Sequence, residues 1–541
     1  MRGGRGASTG RSRAARLVLG PLVVLACAGV AERDDLVVLA SGADLESANP
    51  LTTIHPLARQ VQRYALFVTL ARYDSLLAPE PYFAKGWTWS DDRRSLTLDL
   101  HTGLAWHDGA PTTSRDVVYT LTVAREAGTG YYRRADLAAI SALRGPNDST
   151  VTLVFDAPQS RFPAVLCELP MVPEHLLSRT APRDLRSAPF AFAPVGNGPF
   201  RFVGRQAGRR WIFARNERFP AALGGPPRLD RFVVVVVDEP TTKFAGLVSG
   251  DLHVAGISPT MAALTAADRD LRVLSYPVAF STGLVFNTTR PPFDEARVRR
   301  AIDLSIRRDR IVQIALAGHA APARGPIPPD HPFAPRGDSA RRPNADSLLD
   351  AAGWRRGADG LRRRGSEVLR LVLLSVGSGD NAAEQLVQAD LRKLGLEVEL
   401  RQMELGAFLS DARATDKRFD ALIAGVPGDL ALSHLEGMFA TEQRGGALDY
   451  AGYHRPGLDS LLRVARLAPD EQLAARAWHA VADYLAREAP VAWLFHSRGV
   501  QGVHRSVQGV EMDLRGELVS LAHWTRRPER AAARTTALAR P

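Results

Sequence analysis

The chain has 541 residues, of which 45% are apolar and 23% charged, and a formal net charge of +11. That length supports more than one sizeable core, and the composition is that of a globular protein, not of a disordered, collagen-like or disulfide-stapled one. Nine of the eleven net charges lie at the two ends: Arg2, Arg5, Arg11, Arg13 and Arg16, and then Arg526, Arg527, Arg530, Arg534 and Arg540 against Glu529. The body is nearly neutral, so no basic footprint for nucleic acid is expected.

The five N-terminal arginines precede Leu17–Ala28, an apolar run broken by Gly20 and Pro21. This has the form of a secretory signal, expected over residues 1–26, and is too short to span a bilayer. Small residues around Cys27 suit cleavage before it and lipidation of its thiol. Cleavage nearer Ala31, which discards Cys27, is the other reading. Cys167 is the only other cysteine, so no internal disulfide is expected in the mature chain.

Further on, Leu36–Ala40 has strand composition and leads to Asn49-Pro50-Leu51. The next helix is expected to pack Val61, Ala65, Leu66, Val68 and Leu70. Period-two alternation on both sides of Asp91–Arg94 predicts a hairpin. Ser114 is the expected N-cap of a helix with Asp116 in its first turn. A second hairpin follows Gly196-Asn197-Gly198-Pro199, carrying Phe200 and Phe202 on one arm and Trp211 and Phe213 on the other. Phe232–Val237 is a continuous branched run, expected to be buried on both faces. A helix started by Thr241 or Thr242 and ended by Gly250, then a strand at Leu252–Ile257, complete a βαβ unit.

Leu284-Val285-Phe286 closes a strand at the proline turn Asn287–Pro292. Asp294 is the expected cap of a helix whose arginines, Arg297, Arg299, Arg300 and Arg307, form a solvated face. Asp309 opens a second helix and Gly318 closes it. Ala320–Arg342 holds six prolines and no apolar period, as a long loop does. Strands at Leu369–Val376, Leu396–Leu400 and Phe419–Ala424 surround a helix at Asn381–Leu394. Asp470 caps a long helix, and Val491–Phe495 is a last strand. Alternating strands and helices in two sets predict an α/β chain.

No phosphate loop, CxxC pair, HExxH or GxSxG occurs. His434, Glu436 and His454 do not share a helical or strand face, so no metal site is expected. Cys167, among Val165, Leu166 and Leu169, reads as a buried inert thiol. Nothing here points to catalysis, and no cofactor is expected.

Several ordered motifs carry a family resemblance. They are Asn49-Pro50-Leu51; Trp87–Asp91 with His107-Asp108-Gly109 and Asp116-Val117-Val118; Gly196–Phe200; Leu247–Leu252; and Phe286-Asn287-Thr288 with Pro292-Phe293-Asp294 and Val298–Ala301. Together they resemble the peptide/oligopeptide-binding family of extracellular solute-binding proteins that serve ABC importers. The resemblance implies an α/β, two-lobed periplasmic-binding-protein-like fold of type II, with an extra subdomain on the first lobe. The first lobe would comprise residues 36–52, 189–280 and 496–524, the subdomain 53–188 and the second lobe 281–495. Residues 525–541 would be a disordered basic tail.

It further implies a ligand enclosed between lobes, by Ile54 and His55, Tyr131 and Tyr132, Ile257 and Ser258, Thr282 and Gly283, and Pro427, Gly428 and Asp429. Asp429 is the candidate partner of a peptide's α-ammonium. Pro427, where relatives offer an N–H, removes one backbone bond to an extended ligand. A peptide is the expected ligand and an ABC permease the expected partner. Sugars, metal chelates and opines also fall within the family's range. A monomer in the periplasm or cell envelope, anchored through Cys27 if that thiol is acylated, completes the expectation.

Overall fold

The computed structural model describes residues 35–53, 55–159, 161–335, 344–377, 381–414, 416–446 and 448–527. The signal region, Cys27, Ile54 and the end of the basic tail lie outside the described residues. One mixed sheet organises the rest. On one side of it the parallel strands Leu36–Ser41, Arg231–Val236 and Val254–Gly256 are extended by the hairpin Phe200–Gln206/Arg210–Arg215. On the other, Arg370–Val376, Glu397–Met403 and Ala421–Pro427 are also parallel. Two long antiparallel strands, Leu271–Phe286 and Val491–His504, belong to both halves and join them. Their pairing slips between Pro277 and Ser281, the place where the chain passes from one half to the other.

Each half has its own apolar layers. Residues such as Leu247, Leu271 and Val500 pack one face of the first half. Its other face, with Leu39, Phe213 and Val503, is continuous with the core of residues 56–190. The second half is packed separately on its two faces, around Leu422, Trp478 and Trp493 and around Leu284, Leu371 and Leu494. A second, four-stranded sheet, Ala84–Trp89, Ser95–Leu100, Ile140–Asn147 and Thr150–Phe155, stands on the first half. This is the two-lobed α/β arrangement with an added layer on one lobe.

The signature residues are mostly structural. Gly196 and Gly198 lie against the end of helix Pro56–Val61 and its widened last turn, where Asn197 and Gly198 donate N–H bonds of 3.0 and 2.8 Å to the Leu66 carbonyl. A Cβ on Gly196 would fall 2.0 Å from that oxygen, so only glycine fits. Asn287, fully buried, donates to the carbonyls of Lys417 and Phe419 at 2.9 Å, tying the proline turn to the neighbouring strand.

Several local expectations change. Thr113, not Ser114, caps helix Ser114–Arg125, in a reciprocal box with Asp116. Glu239 caps helix Pro240–Ser249 through the N–H groups of Thr241 and Thr242, because Pro240 fills its first position. Strand Arg231–Val236 is buried on alternate residues, not on both faces. The chain leaves its helical turn at Phe67, so Val68 and Leu70 pack beyond it.

Asp294 does not cap the next helix, which runs Ala296–Ser305 from Glu295. Arg299 is not on a solvated face: it is 1% exposed and donates to the carbonyls of Phe293, Asp294, Glu488 and Ala489. Arg307 holds Asp390 at 2.7 Å. Thr525–Arg526, expected to belong to the basic tail, instead pairs with Val507–Gln508.

Candidate functional site

Strand Ala421–Pro427 ends at the crossing, where Phe280 pairs with Pro427 and the Gly428 N–H reaches the Ala279 carbonyl at 2.8 Å. Pro427 therefore costs the sheet no donor that it needs. The next residue, Asp429, organises the loop before helix Ser433–Phe439. Its Oδ1 accepts from Ala431 N–H (2.8 Å), Ser433 N–H (3.0 Å) and the Ser433 hydroxyl (3.0 Å), and its Oδ2 from His434 N–H (3.0 Å). Burial would raise this carboxyl, but the His434 ring, Arg133 and the Ser433 N–H outweigh it and hold Asp429 well below the usual carboxylate range.

Gly428 and Asp429 line a small cavity with Ala279 and Ser281 of the crossing strand, His331 of the proline-rich loop, and Leu514 of the first lobe. His331 accepts the Phe333 N–H at Nδ1 (3.1 Å), so its Nε2–H donates to the Leu430 carbonyl (3.1 Å). Burial pushes His331 and His496 down to about 4, and His496 pairs with the Ser281 hydroxyl at 2.7 Å.

Opposite stands a buried charge cluster on the subdomain side. Glu168, its side chain 3% exposed, is met by Arg133 (2.6 Å), Arg63 (3.3 Å) and Arg59 (3.5 Å). Burial alone would raise Glu168; the three guanidiniums lower it. Arg133 also holds Asp136 at 2.5 Å. The subdomain and the second lobe also touch elsewhere. Leu430 packs against a subdomain patch that includes Tyr73, Trp87 and Phe162. Arg161 donates to the carbonyls of Ala465 and Arg466 (3.1 and 3.2 Å) at the end of helix Pro456–Arg466.

The expected ligand residues divide. Gly428 and Asp429 face the cavity. Tyr132 is 43% exposed, under the Arg59 guanidinium at 4.6 Å, whereas Tyr131 is buried and meets it edge-on at 5.3 Å. His55 is spent locally: its Nδ1 takes the Ala58 N–H at 3.2 Å and caps helix Pro56–Val61. Ile257 turns into the core with Leu247 and Val500, and Ser258 pairs with Thr260 at 2.9 Å. Thr282 is half-buried in the crossing strand, and the α-carbon of Gly283 faces Val491 and Trp493. Ser281, His331 and Leu514 escaped the sequence reading. The register slip before Ser281 has no local signature, and the other two reach the cavity only through tertiary packing.

A two-lobed α/β frame with a small, mostly apolar cavity at the crossing, bordered by the Asp429 carboxylate, fits a solute-binding protein by class. Comparison with known proteins makes this specific: residues 78–439 match the bacterial extracellular solute-binding proteins, family 5 (middle region), and the chain belongs to that family. It is 30% identical to Protein XP55 of Streptomyces lividans over 417 residues, 75% of this chain and 74% of that one. It is 23% identical to the dipeptide-binding protein of Escherichia coli K12 over 476 residues, 81% and 84% of the two chains. Among solved structures, the oligopeptide-binding protein AppA of Bacillus subtilis, in complex with a nonapeptide, superposes with a TM-score of 0.76 at 20% identity, covering 91% of this chain and 99% of that one. Among the described residues no helix is long and apolar enough to cross a membrane.

Proposed function

We propose that this protein captures a short peptide between its lobes and delivers it to an ABC permease, without chemistry on the ligand. The observation that carries the reading is Asp429. Its Oδ1 is filled by three donors, while Oδ2 accepts one N–H, lies 3.7 Å from the His434 ring nitrogen, beyond a hydrogen bond, and keeps capacity for a closer donor. The carboxylate is ionised, its side chain is 16% exposed, and it faces the interlobe cavity. Arg133, the guanidinium of the other lobe that acts on Asp429, is already matched by Glu168 and Asp136. A peptide's α-ammonium would add a second close donor, and a positive charge in direct contact, at Oδ2. The dipeptide- and oligopeptide-binding relatives support a peptide, while neighbours bound to Ni(L-His) and agropinic acid keep other solutes as the alternative.

Calorimetric titration tests this with a dipeptide carrying a free or an acetylated amine. Asp429→Asn keeps an oxygen for the loop but loses the charge. It is expected to weaken the free-amine ligand by about tenfold or more and leave the acetylated one nearly unchanged. Equal loss for both removes the amine clamp. Peptides incubated with the protein are expected to be recovered whole; cleavage products would make it a hydrolase. Lipid anchoring through Cys27 is part of the reading, and Cys27→Ala is expected to move the protein from the membrane fraction to the soluble one.

A further inference from the structure

Near the crossing lies a second carboxylate that no cation meets among the described residues. Glu517 accepts from Gln501 Nε2 at 2.7 Å and lies 3.5 Å from the Tyr276 hydroxyl, both neutral groups. Arg515, two residues before it, spends its guanidinium on Asp513 (2.6 Å) and the Tyr73 carbonyl (3.2 Å). Gln501 is 6% exposed, and its Oε1 is buried without a hydrogen-bond partner. The same holds for Gln60 Oε1, on the helix whose Gln60 Nε2 and Tyr64 hydroxyl both bond the Arg515 carbonyl. Acceptors from three segments thus converge on residues 515–517 in excess of donors. Buried acceptors left unmatched are costly and rare, and call for an explanation.

Their place in the sheet supplies one. Gln501 is in register with Gly256, the last residue of parallel strand Val254–Gly256, and Tyr276 with Gly499, next to the register slip at the crossing. Ligands of open α/β sheets bind at the carboxyl ends of parallel strands. Three residues from Tyr276 and from Glu517, respectively, Ala279 and Leu514 line the interlobe cavity.

On the reading of the protein as a peptide receptor, we propose that Glu517, with the amide oxygens of Gln501 and Gln60, is the specificity-determining subsite for a basic side chain on the ligand, so that lysine- or arginine-containing peptides are preferred. Ammonium and guanidinium groups donate and never accept, which complements an acceptor-rich wall. The facing groups, Tyr276 and Gln501 from the crossing strands, Tyr64 and Gln60 from the helix, and Asp513 and Arg515 from its own segment, aim no positive charge at Glu517. Burial consequently pushes Glu517 up to about 7. A docked cation favours the carboxylate, so binding a basic peptide near neutral pH releases a proton.

The test is calorimetry on the full chain with Ala-Lys, Ala-Arg and Ala-Gln, at pH 7 in two buffers of different ionisation enthalpy. Wild type is expected to bind Ala-Lys and Ala-Arg about tenfold more tightly than Ala-Gln. Their binding enthalpy should depend on the buffer and that of Ala-Gln should not. Glu517→Gln is expected to erase both the preference and the buffer dependence while leaving Ala-Gln within about twofold. An equal loss on all three peptides, or a wild type that binds Ala-Gln as tightly as Ala-Lys, overturns the subsite and leaves the peptide reading standing. Failure of every peptide to bind overturns both.

Discussion

Arg299 shows how a single side chain can be assigned to the wrong environment. Its neighbours Arg297 and Arg300 are surface residues of the same short helix, yet Arg299 points inward and satisfies four main-chain carbonyls, two of them nearly 190 residues away. Arg299→Ala leaves those oxygens buried and unmatched, and is expected to destabilise the protein by about 3 kcal/mol or more, read as a lowered denaturation midpoint in urea. Arg299→Lys should recover only part, because an ammonium cannot span the same fork of carbonyls. Asp429 was legible because it follows a strand at a point where the resemblance names an acid. Glu517 was not, because it reaches Gln501 across 16 residues and Tyr276 across 241, and no local pattern encodes that meeting. Likewise a cap can be misplaced by one residue, as Ser114 was, when two hydroxyls adjoin and only the reciprocal bond from Asp116 distinguishes Thr113.

The elements that carry the proposed function are the two crossing strands and the loop of residues 427–434. Strand periodicity showed that Leu284–Phe286 and Val491–Phe495 are strands, but not that they extend to sixteen and fourteen residues and serve both lobes. Alternation weakens where a strand has a lobe on each side, so the sequence signal fades where the continuity begins. The loop brings Leu430 onto the subdomain patch of Tyr73, Trp87 and Phe162, while Arg161 reaches the end of helix Pro456–Arg466. These contacts join the lobes directly, and closure needs groups that interact with both halves. Leu430→Ala removes about 2 kcal/mol of apolar burial from that contact. It is expected to expand the ligand-free protein in small-angle scattering and to weaken peptide binding, with little change in thermal stability, since each lobe keeps its own core. An unchanged radius of gyration in both Leu430→Ala and Arg161→Ala would show that these contacts do not hold the lobes together.

For the whole molecule, charge and titration give a further expectation. His107, His331 and His496 are held near 4 and His253 near 3, chiefly by burial, against a usual 6.5. The folded protein keeps them neutral while the unfolded chain protonates them, so stability is lost as pH falls from about 6.5 towards 4. Glu517 acts in the opposite sense. Its folded value near 7 lies above the usual 4.5, so the folded state holds the extra proton and stability is lost as pH rises through that interval. Four histidines outweigh one carboxyl, so the melting temperature is expected to rise from pH 4 to pH 6.5, and more steeply in Glu517→Gln; a flatter slope in that variant would mean that Glu517 is ionised in the folded protein. The near-neutral body and the two-lobed α/β plan were legible from composition, periodicity and ordered motifs, whereas the pairing of distant acceptors into a subsite required the packed chain. Capture in this protein requires a peptide that bridges the lobes. Native mass spectrometry of protein purified without denaturation from peptide-rich medium tests that most directly. A one-to-one adduct that releases an intact short peptide, enriched in lysine or arginine, is the predicted result; an adduct with the mass of a sugar, opine or metal chelate would contradict it.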